Sequence, residues 1–402
     1  VPQGGNTGLV GGQIPDGTGN QIIVSLKRLK AVRARDIADL ALTLEAGVTL
    51  LEAQQAAEAM GLLFPLSLAA EGTATVGGNL STNAGGTAVL AYGNARDLVL
   101  GLEVVLPSGE VWNGLKSLRK DNTGYDLKSL FVGAEGTLGI ITAATLKLFP
   151  VPRSRATIFA ATPSPQHALD ALGLIRNAAP GLVTSFELMP RFGLDLVLAN
   201  VPGTRNPLAA PSPWSLLVEI SSQTTAGFRD AVETALAAVL ERGALSDAAI
   251  AESDTQAADF WRLREAISEA QKFEGGSIKH DIAVPVAAVP AFLADALAEV
   301  QRLVPGCRPV PFGHLGDGNI HFNISQPSGA DMAAFLARRP EVNQAVFALV
   351  ARHGGSISAE HGIGIDKRDW MPTIKSPVEL ALMRAIKAAL DPLGIMNPGK
   401  LL

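Results

Sequence analysis

The sequence predicts an α+β protein of two or three domains, and three observations predict it. Residues 1–150 alternate glycine-rich loops with short apolar runs. After Pro150-Val-Pro152 the character changes. Strand-like runs at 156–161 and 214–220 then alternate with long helical runs at 166–178, 226–241 and 257–273, the pattern of helices laid on a sheet. Finally, two turn-rich motifs, Pro311-Phe-Gly-His-Leu-Gly-Asp-Gly-Asn-Ile-His-Phe-Asn323 and Ala359-Glu-His-Gly-Ile-Gly364, collect three of the six histidines. The blocks expected are 1–150, 151–370 and a helical C-terminal segment, 371–402, returning to the first. A chain of 402 residues is long enough for such a division.

The first block opens on Gln3, Gly4, Gly5, Asn6, Thr7, Gly8, Leu9, Val10, Gly11 and Gly12, with five glycines in nine positions. Lacking Cβ atoms, such a backbone turns consecutive N–H groups onto one anion, which suits a pyrophosphate. No Gly-Lys-Ser/Thr follows, and no strand and helix frame the loop, so it is neither a Walker loop nor a Rossmann fingerprint. Residues 21–26 and 98–106 read as strands. Residues 50–60 read as a helix, with Thr49 as its cap and Gly61 as its stop.

A second loop repeats the chemistry with Gly77, Gly78, Asn79, Ser81, Thr82, Asn83, Gly85 and Gly86. A third contains Glu135, Gly136, Gly139, Ile140 and Ile141 and runs into a strand. Three such loops suit a large nucleotide with many polar edges. Three unrelated tight turns are the plain alternative. The chain enters the first loop with no element before it and reads as a fragment missing its natural N-terminus, so targeting signals cannot be judged.

In the second block, Asp317-Gly318 favours a two-residue hairpin turn. That turn sets His314 directly opposite His321, where two imidazoles can share a divalent metal, with Glu360 as a carboxylate third ligand. Asn323 projects from the same face as His321. Three ligands leave coordination positions open for a substrate. A lone His in a glycine-rich turn is usually a hydrogen-bonded loop residue, but here the histidines are gathered. Residues 260–268 read as one helix that puts Arg264 and Ser268 on one face. Residues 276–284 alternate as a strand with Lys279 and Asp281 on its polar face. Residues 201–213 read as a loop, and 330–352 and 377–390 as helices. Arg264 and Lys279, read alone, are surface ion-pair residues.

Composition excludes several classes. A net charge of −5 argues against nucleic acid as the main partner. No run of eighteen uncharged apolar residues is long enough for a membrane-spanning helix. The lone Cys307 excludes intramolecular disulfides and thiolate clusters and suits a reducing, cytoplasmic setting.

Together the three loops resemble the FAD-binding domain of the vanillyl-alcohol oxidase and p-cresol methylhydroxylase flavoprotein superfamily. Pro2-Gln-Gly-Gly-Asn-Thr-Gly8, Lys120-Asp-Asn-Thr-Gly-Tyr-Asp126, Gly313-His-Leu-Gly-Asp-Gly-Asn319 and Ala359-Glu-His-Gly362 narrow the resemblance. They are similar to the FAD-linked D-2-hydroxy-acid dehydrogenases, on the branch of the D-2-hydroxyglutarate and D-lactate enzymes, nearer the former. The resemblance runs from Val1 to Leu402 and implies a p-cresol methylhydroxylase-type FAD domain plus an α+β substrate domain.

It implies FAD held noncovalently, since no His precedes His167, and a C-terminal Asn397 segment near the flavin. It further implies a divalent metal, zinc first among the candidates, and Arg264, Ser268 and Lys279 as holders of substrate carboxylate. His361, beside a ligand, is then the candidate base. A small 2-hydroxy-acid substrate, an electron acceptor (electron-transfer flavoprotein, cytochrome or quinone) and a homodimer are the partners expected. Two other classes remain open: a flavin-free metal hydrolase, and a non-catalytic subunit that keeps the flavoprotein fold.

Overall fold

The structure, a computed structural model, describes residues 1–179 and 181–402. It separates into two compact units, Val1–Val151 with Glu360–Leu402, and Pro152–Ala359. Residues 360–370, expected with the second block, therefore cluster with the first. Among the described residues no helix is long and apolar enough to cross a membrane.

The first unit is built on an antiparallel sheet of β1 (Val32–Asp36), β2 (Ala41–Glu45), β3 (Val99–Val105), β4 (Val111–Gly114) and β5 (Ile140–Lys147), in the order β1-β2-β5-β3-β4. Leu42, Leu44, Leu102 and Leu146 form its buried apolar face. Helix Leu50–Glu58 packs there through Leu50, Ala53 and Ala57. Its start is fixed by a capping box between Thr49 and Glu52, and Gly61 takes φ +70 just beyond its end. The strand expected at 21–26 shrinks to Val24–Ser25, paired in parallel with Pro2–Gln3. The C-terminal helix spans Pro377–Leu390, matching the expectation, and Lys387 Nζ donates to Thr137 O at 2.6 Å.

The second unit carries a seven-stranded antiparallel sheet of β6 (Ser154–Thr162), β7 (Leu182–Pro190), β8 (Trp214–Ser222), β9 (Asp247–Ile250), β10 (Ser277–Ala283), β11 (Arg308–His314) and β12 (Asn319–Ser325). Their order is β9-β6-β8-β7-β11-β12-β10. Helices Pro165–Ala178, Phe228–Glu241, Val289–Leu303 and Arg339–Arg352 pack on one face. The other face buries Phe159, Leu217, Val310 and Phe312 against Phe260, Leu263 and Ile267 of the helical segments after residue 253.

Those segments correct a prediction. Instead of one helix over 257–273, Asp254–Glu265 ends at Ala266, and a second, four-residue helix, Ile267–Ala270, follows. Arg264 and Ser268 are therefore on different segments, Arg264 buried and Ser268 exposed.

Candidate functional site

In the first unit a cavity of about 290 Å³ is walled by Gln3, Gly4, Gly5, Asn6, Thr7, Gly8, Gly12, Gly77, Gly78, Asn79, Ser81, Thr82, Gly85, Glu135, Gly136, Glu360 and His361. Local packing explains why glycine stands at two positions of the first loop. A Cβ on Gly5 would overlap the Thr73 carbonyl, and one on Gly4 the Thr75 hydroxyl. The first loop therefore lies backbone against backbone on the segment leading into helix Val76–Ser81. That short helix also shows that part of the second glycine run is helical rather than a loop.

The backbone amides from Gly4 to Val10 donate to no group among the described residues. Asn79 Nδ2, buried in the same wall, likewise has no hydrogen-bond partner among them. Asn79 Nδ2 is the buried donor of this set, and buried donors without acceptors are rare in native proteins, whereas Asn6 to Leu9 are exposed and their amides open to a ligand. An unpaired run of amides is the kind of nest that binds phosphate oxygens. The residues present thus fit a pyrophosphate-bearing cofactor such as FAD.

Several residues expected at the cofactor do other work. Ile141 lies in the core on β5, after Ile140, and Gly139 packs beneath Val104 and Phe131. Asn83 Oδ1 accepts from Arg96 N at 2.9 Å, Gly86 abuts the Ser67 carbonyl, and Gly11 turns at φ +72 against Ile365. Asn397 is buried and donates to the carbonyls of Gly12 and Glu135 at 2.9 and 2.7 Å. It clips two loops together through Nδ2, while its buried Oδ1 has no hydrogen-bond partner among the described residues. Glu135 lines the cavity, but its carboxylate accepts from Ile363 N and Gly364 N at 2.7 and 2.8 Å. Burial raises its pKa, and the two amides oppose that rise. Its main contact is therefore the segment carrying Glu360 and His361. His361 Nε2 lies 3.8 Å from Glu360 Oε1, beyond hydrogen-bond range. Leu68, Ala69, Ala70 and Thr75 also wall the cavity; no glycine pattern marks the first three.

The second unit gathers its polar groups at one end of a sheet face. The ladder sets Glu187, His314 and Asn319 side by side, then Phe312, His321 and Asp281, then Val310, Asn323 and Lys279. Directly paired residues share a face, so these three rungs form one surface. The hairpin corrects the expected turn. Residues 315–318 all lie in the connection, and His314 faces Asn319 while His321 faces Phe312. The register differs by two residues, which preserves the face. The imidazoles thus meet diagonally, with ring centroids 5.7 Å apart.

Each imidazole has a carboxylate on its Nδ1 side. His314 Nδ1 lies 2.6 Å from Glu187 Oε1, and His321 Nδ1 lies 3.8 Å from Asp281 Oδ1. Asn319 Nδ2 donates to Asp281 Oδ1 at 3.0 Å. Glu187 is fully buried, and Arg264 Nε donates to its Oε2 at 2.7 Å. Burial alone would raise the Glu187 carboxyl, but the charges and hydrogen bonds of His314 and Arg264 push it down to about 2. An ionised carboxylate can only accept, so His314 Nδ1 carries the proton that donates to Glu187 Oε1. This is the donor set that suits a divalent metal.

Arg264 also stacks over Phe312, 4.8 Å from the ring centroid. Its terminal nitrogens make no hydrogen bond among the described residues. Lys279 has no ion-pair partner among them, and partial burial, then Lys272, lowers its pKa. Asn323 Nδ2 donates to Gln271 Oε1 at 2.8 Å. Glu187 is a residue of this face that no sequence motif marks. It is the lone acid of strand Leu182–Pro190, which is buried at every position but the first, and its partner His314 lies far along the chain.

Comparison with known proteins places this architecture. The fold is shared with alkyldihydroxyacetonephosphate synthase (TM-score 0.71, 19% identity, covering 99% of this chain and 71% of that one). It is shared also with substrate-bound p-cresol methylhydroxylase (TM-score 0.71, 17% identity, 95% and 79%). A D-2-hydroxyglutarate dehydrogenase of Xanthomonas citri pv. viticola is 39% identical over 100% of this chain and 83% of its own length. Mitochondrial D-2-hydroxyglutarate dehydrogenases of Arabidopsis thaliana (38%, covering 70% of that protein) and Bos taurus (39%, covering 72%) also match over the whole chain. Residues 1–114 match the FAD binding domain model and residues 151–401 match FAD linked oxidases, C-terminal domain. The chain belongs to the family of FAD-linked oxidases.

Proposed function

We propose that this protein oxidises D-2-hydroxyglutarate to the 2-keto acid, with FAD and a divalent metal as its cofactors. The observation that carries the substrate class is the composition of one sheet face. His314, backed by Glu187, and His321, 3.8 Å from Asp281, stand there beside Arg264, whose terminal nitrogens are unpaired, and Lys279, which has no acidic partner, among the described residues. Imidazoles suit a divalent metal, which would polarise the hydroxyl of a hydroxy acid held beside it. The two cations suit a second carboxylate, which D-lactate lacks. The match over the full chain to D-2-hydroxyglutarate dehydrogenases supports the same reading.

His314 and His321 are assigned as metal ligands through Nε2, zinc first, with manganese or iron compatible. The roles of Glu360 as third ligand and His361 as base rest on the sequence resemblance. His361 takes the proton of the substrate hydroxyl. Arg264 and Lys279 hold the distal carboxylate. Asn323, held by Gln271, contributes a polar edge on the same face. Ser268, exposed and beyond the helix break, is the weakest member of the set. FAD, when bound, supplies the hydride acceptor, and an electron-transfer flavoprotein, cytochrome or quinone takes the electrons onward.

Steady-state turnover with an artificial electron acceptor tests the substrate. D-2-hydroxyglutarate should be oxidised in preference to its L-enantiomer and to D-lactate. Lys279→Met should raise KM for the diacid while leaving that for D-lactate nearly unchanged. Preference for D-lactate, with equal effects of the substitution on both, would refute the diacid assignment.

A further inference from the structure

The buried carboxylate of Glu187 has a geometry that a stabilising ion pair does not require. Its two oxygens are divided between two partners, Oε1 to His314 Nδ1 at 2.6 Å and Oε2 to Arg264 Nε at 2.7 Å. A buried Arg–Glu pair is already costly to desolvate, and adding an imidazole to it brings a third polar group out of water. What the third partner gains is orientation. β7 meets β11 over two rungs, and one of them is Glu187 opposite His314. The ladder therefore fixes the carboxylate relative to the imidazole ring. The stack of Arg264 on Phe312 fixes the guanidinium on the other side.

We propose that Glu187 is a positioning residue that sets His314 and Arg264 together, one buried carboxylate aligning both the metal ligand and the substrate clamp. The inference rests on the metal and substrate roles given above to those two residues. Through Oε1 the carboxylate selects the tautomer of His314 protonated at Nδ1 and leaves Nε2 as the ligand atom. Through Oε2 it holds Nε of Arg264 and turns the two terminal nitrogens outward as a fork for a carboxylate. Loss of the charge at Glu187 therefore weakens metal binding and substrate binding together. Loss of Arg264 alone weakens only the latter.

The test uses the full-length flavin-loaded protein, stripped of metal and titrated with Zn²⁺. The histidine ring nitrogens of the metal-free protein are read by ¹⁵N NMR, with His314→Gln to assign the signal. Wild type should show His314 protonated at Nδ1. Glu187→Gln should keep its flavin, bind Zn²⁺ about 10–100-fold more weakly, and shift His314 toward the other tautomer. Arg264→Met should bind Zn²⁺ as wild type does. Zn²⁺ affinity unchanged in Glu187→Gln would overturn the proposal while leaving the metal reading intact. Wild type that binds no Zn²⁺ would defeat the metal reading itself. That result would take the positioning role with it; if instead wild type binds Zn²⁺ and Glu187→Gln fails to fold, the wild-type tautomer decides. Nδ1–H supports the positioning role, and Nε2–H overturns it.

Discussion

The two units build their sites from different materials. In the first, the cavity wall is mostly backbone, with amides from Gly4 to Val10 unpaired among the described residues and glycines where neighbouring chain leaves no space for a Cβ. In the second, the site is made of side chains placed by sheet register, with Glu187, His314, Asn319, His321 and Asp281 on adjoining rungs. A backbone site is sensitive to volume and indifferent to charge. A ladder site is the reverse, because deleting one ionised partner leaves another buried without compensation. Substitutions in the two units should therefore fail in different ways, and that difference can be measured.

The largest effect should come from His361→Ala. Removing a general base costs about 10²–10⁴-fold in turnover, while flavin content and Zn²⁺ binding should stay as in wild type. Turnover within a fewfold of wild type would remove His361 from the chemistry. Gly5→Val should act on the backbone site alone. Its side chain would collide with the Thr73 carbonyl, costing about 1–3 kcal/mol in stability and lowering the flavin-to-protein ratio, while Zn²⁺ titration gives the wild-type affinity. Flavin retention at full stoichiometry would show that the first loop is not the cofactor cradle.

Smaller effects should belong to neither site. Ser376→Ala removes the cap of helix Pro377–Leu390 and should cost about 1 kcal/mol in denaturant unfolding with kcat unaltered. The same capping box predicts a pH effect. The Ser376 amide, then Lys375, hold the Glu379 carboxyl down to about 2 from 4.5. Its contribution is therefore full above pH 4.5 and is lost as pH falls toward 2. Glu379→Gln should flatten that acid limb of the stability curve, and an unchanged limb would count against the box.

What the sequence made legible follows the same division. Glycine runs, the Thr49 cap with its Gly61 stop, and the span of helix Pro377–Leu390 are local signals, and they correspond to what the structure shows. The same locality says nothing of neighbours in space, such as the strand β5 that carries Ile140 and Ile141 or the Gly12 and Glu135 carbonyls that accept from Asn397. The two histidines share a face although the turn between them was misjudged, because a shift of two residues restores the alternation of a strand. Glu187 was out of reach. Its partner His314 lies 127 positions away, and only the pairing of β7 with β11 brings them together. The break at Ala266 was hidden by a helical pattern continuing through it, and it separates Arg264 from Ser268.

The central claim is that flavin and metal serve the oxidation of one hydroxy acid. Its most direct test is an anaerobic mixture of the flavin-loaded protein with D-2-hydroxyglutarate, followed at the oxidised-flavin absorption band, with and without prior chelation. The band should bleach rapidly in the metal-loaded protein, persist after chelation, and bleach again when Zn²⁺ is restored. A band that bleaches equally after complete metal removal would contradict the metal's role. A flavin-loaded, metal-replete protein whose band never bleaches would contradict the substrate.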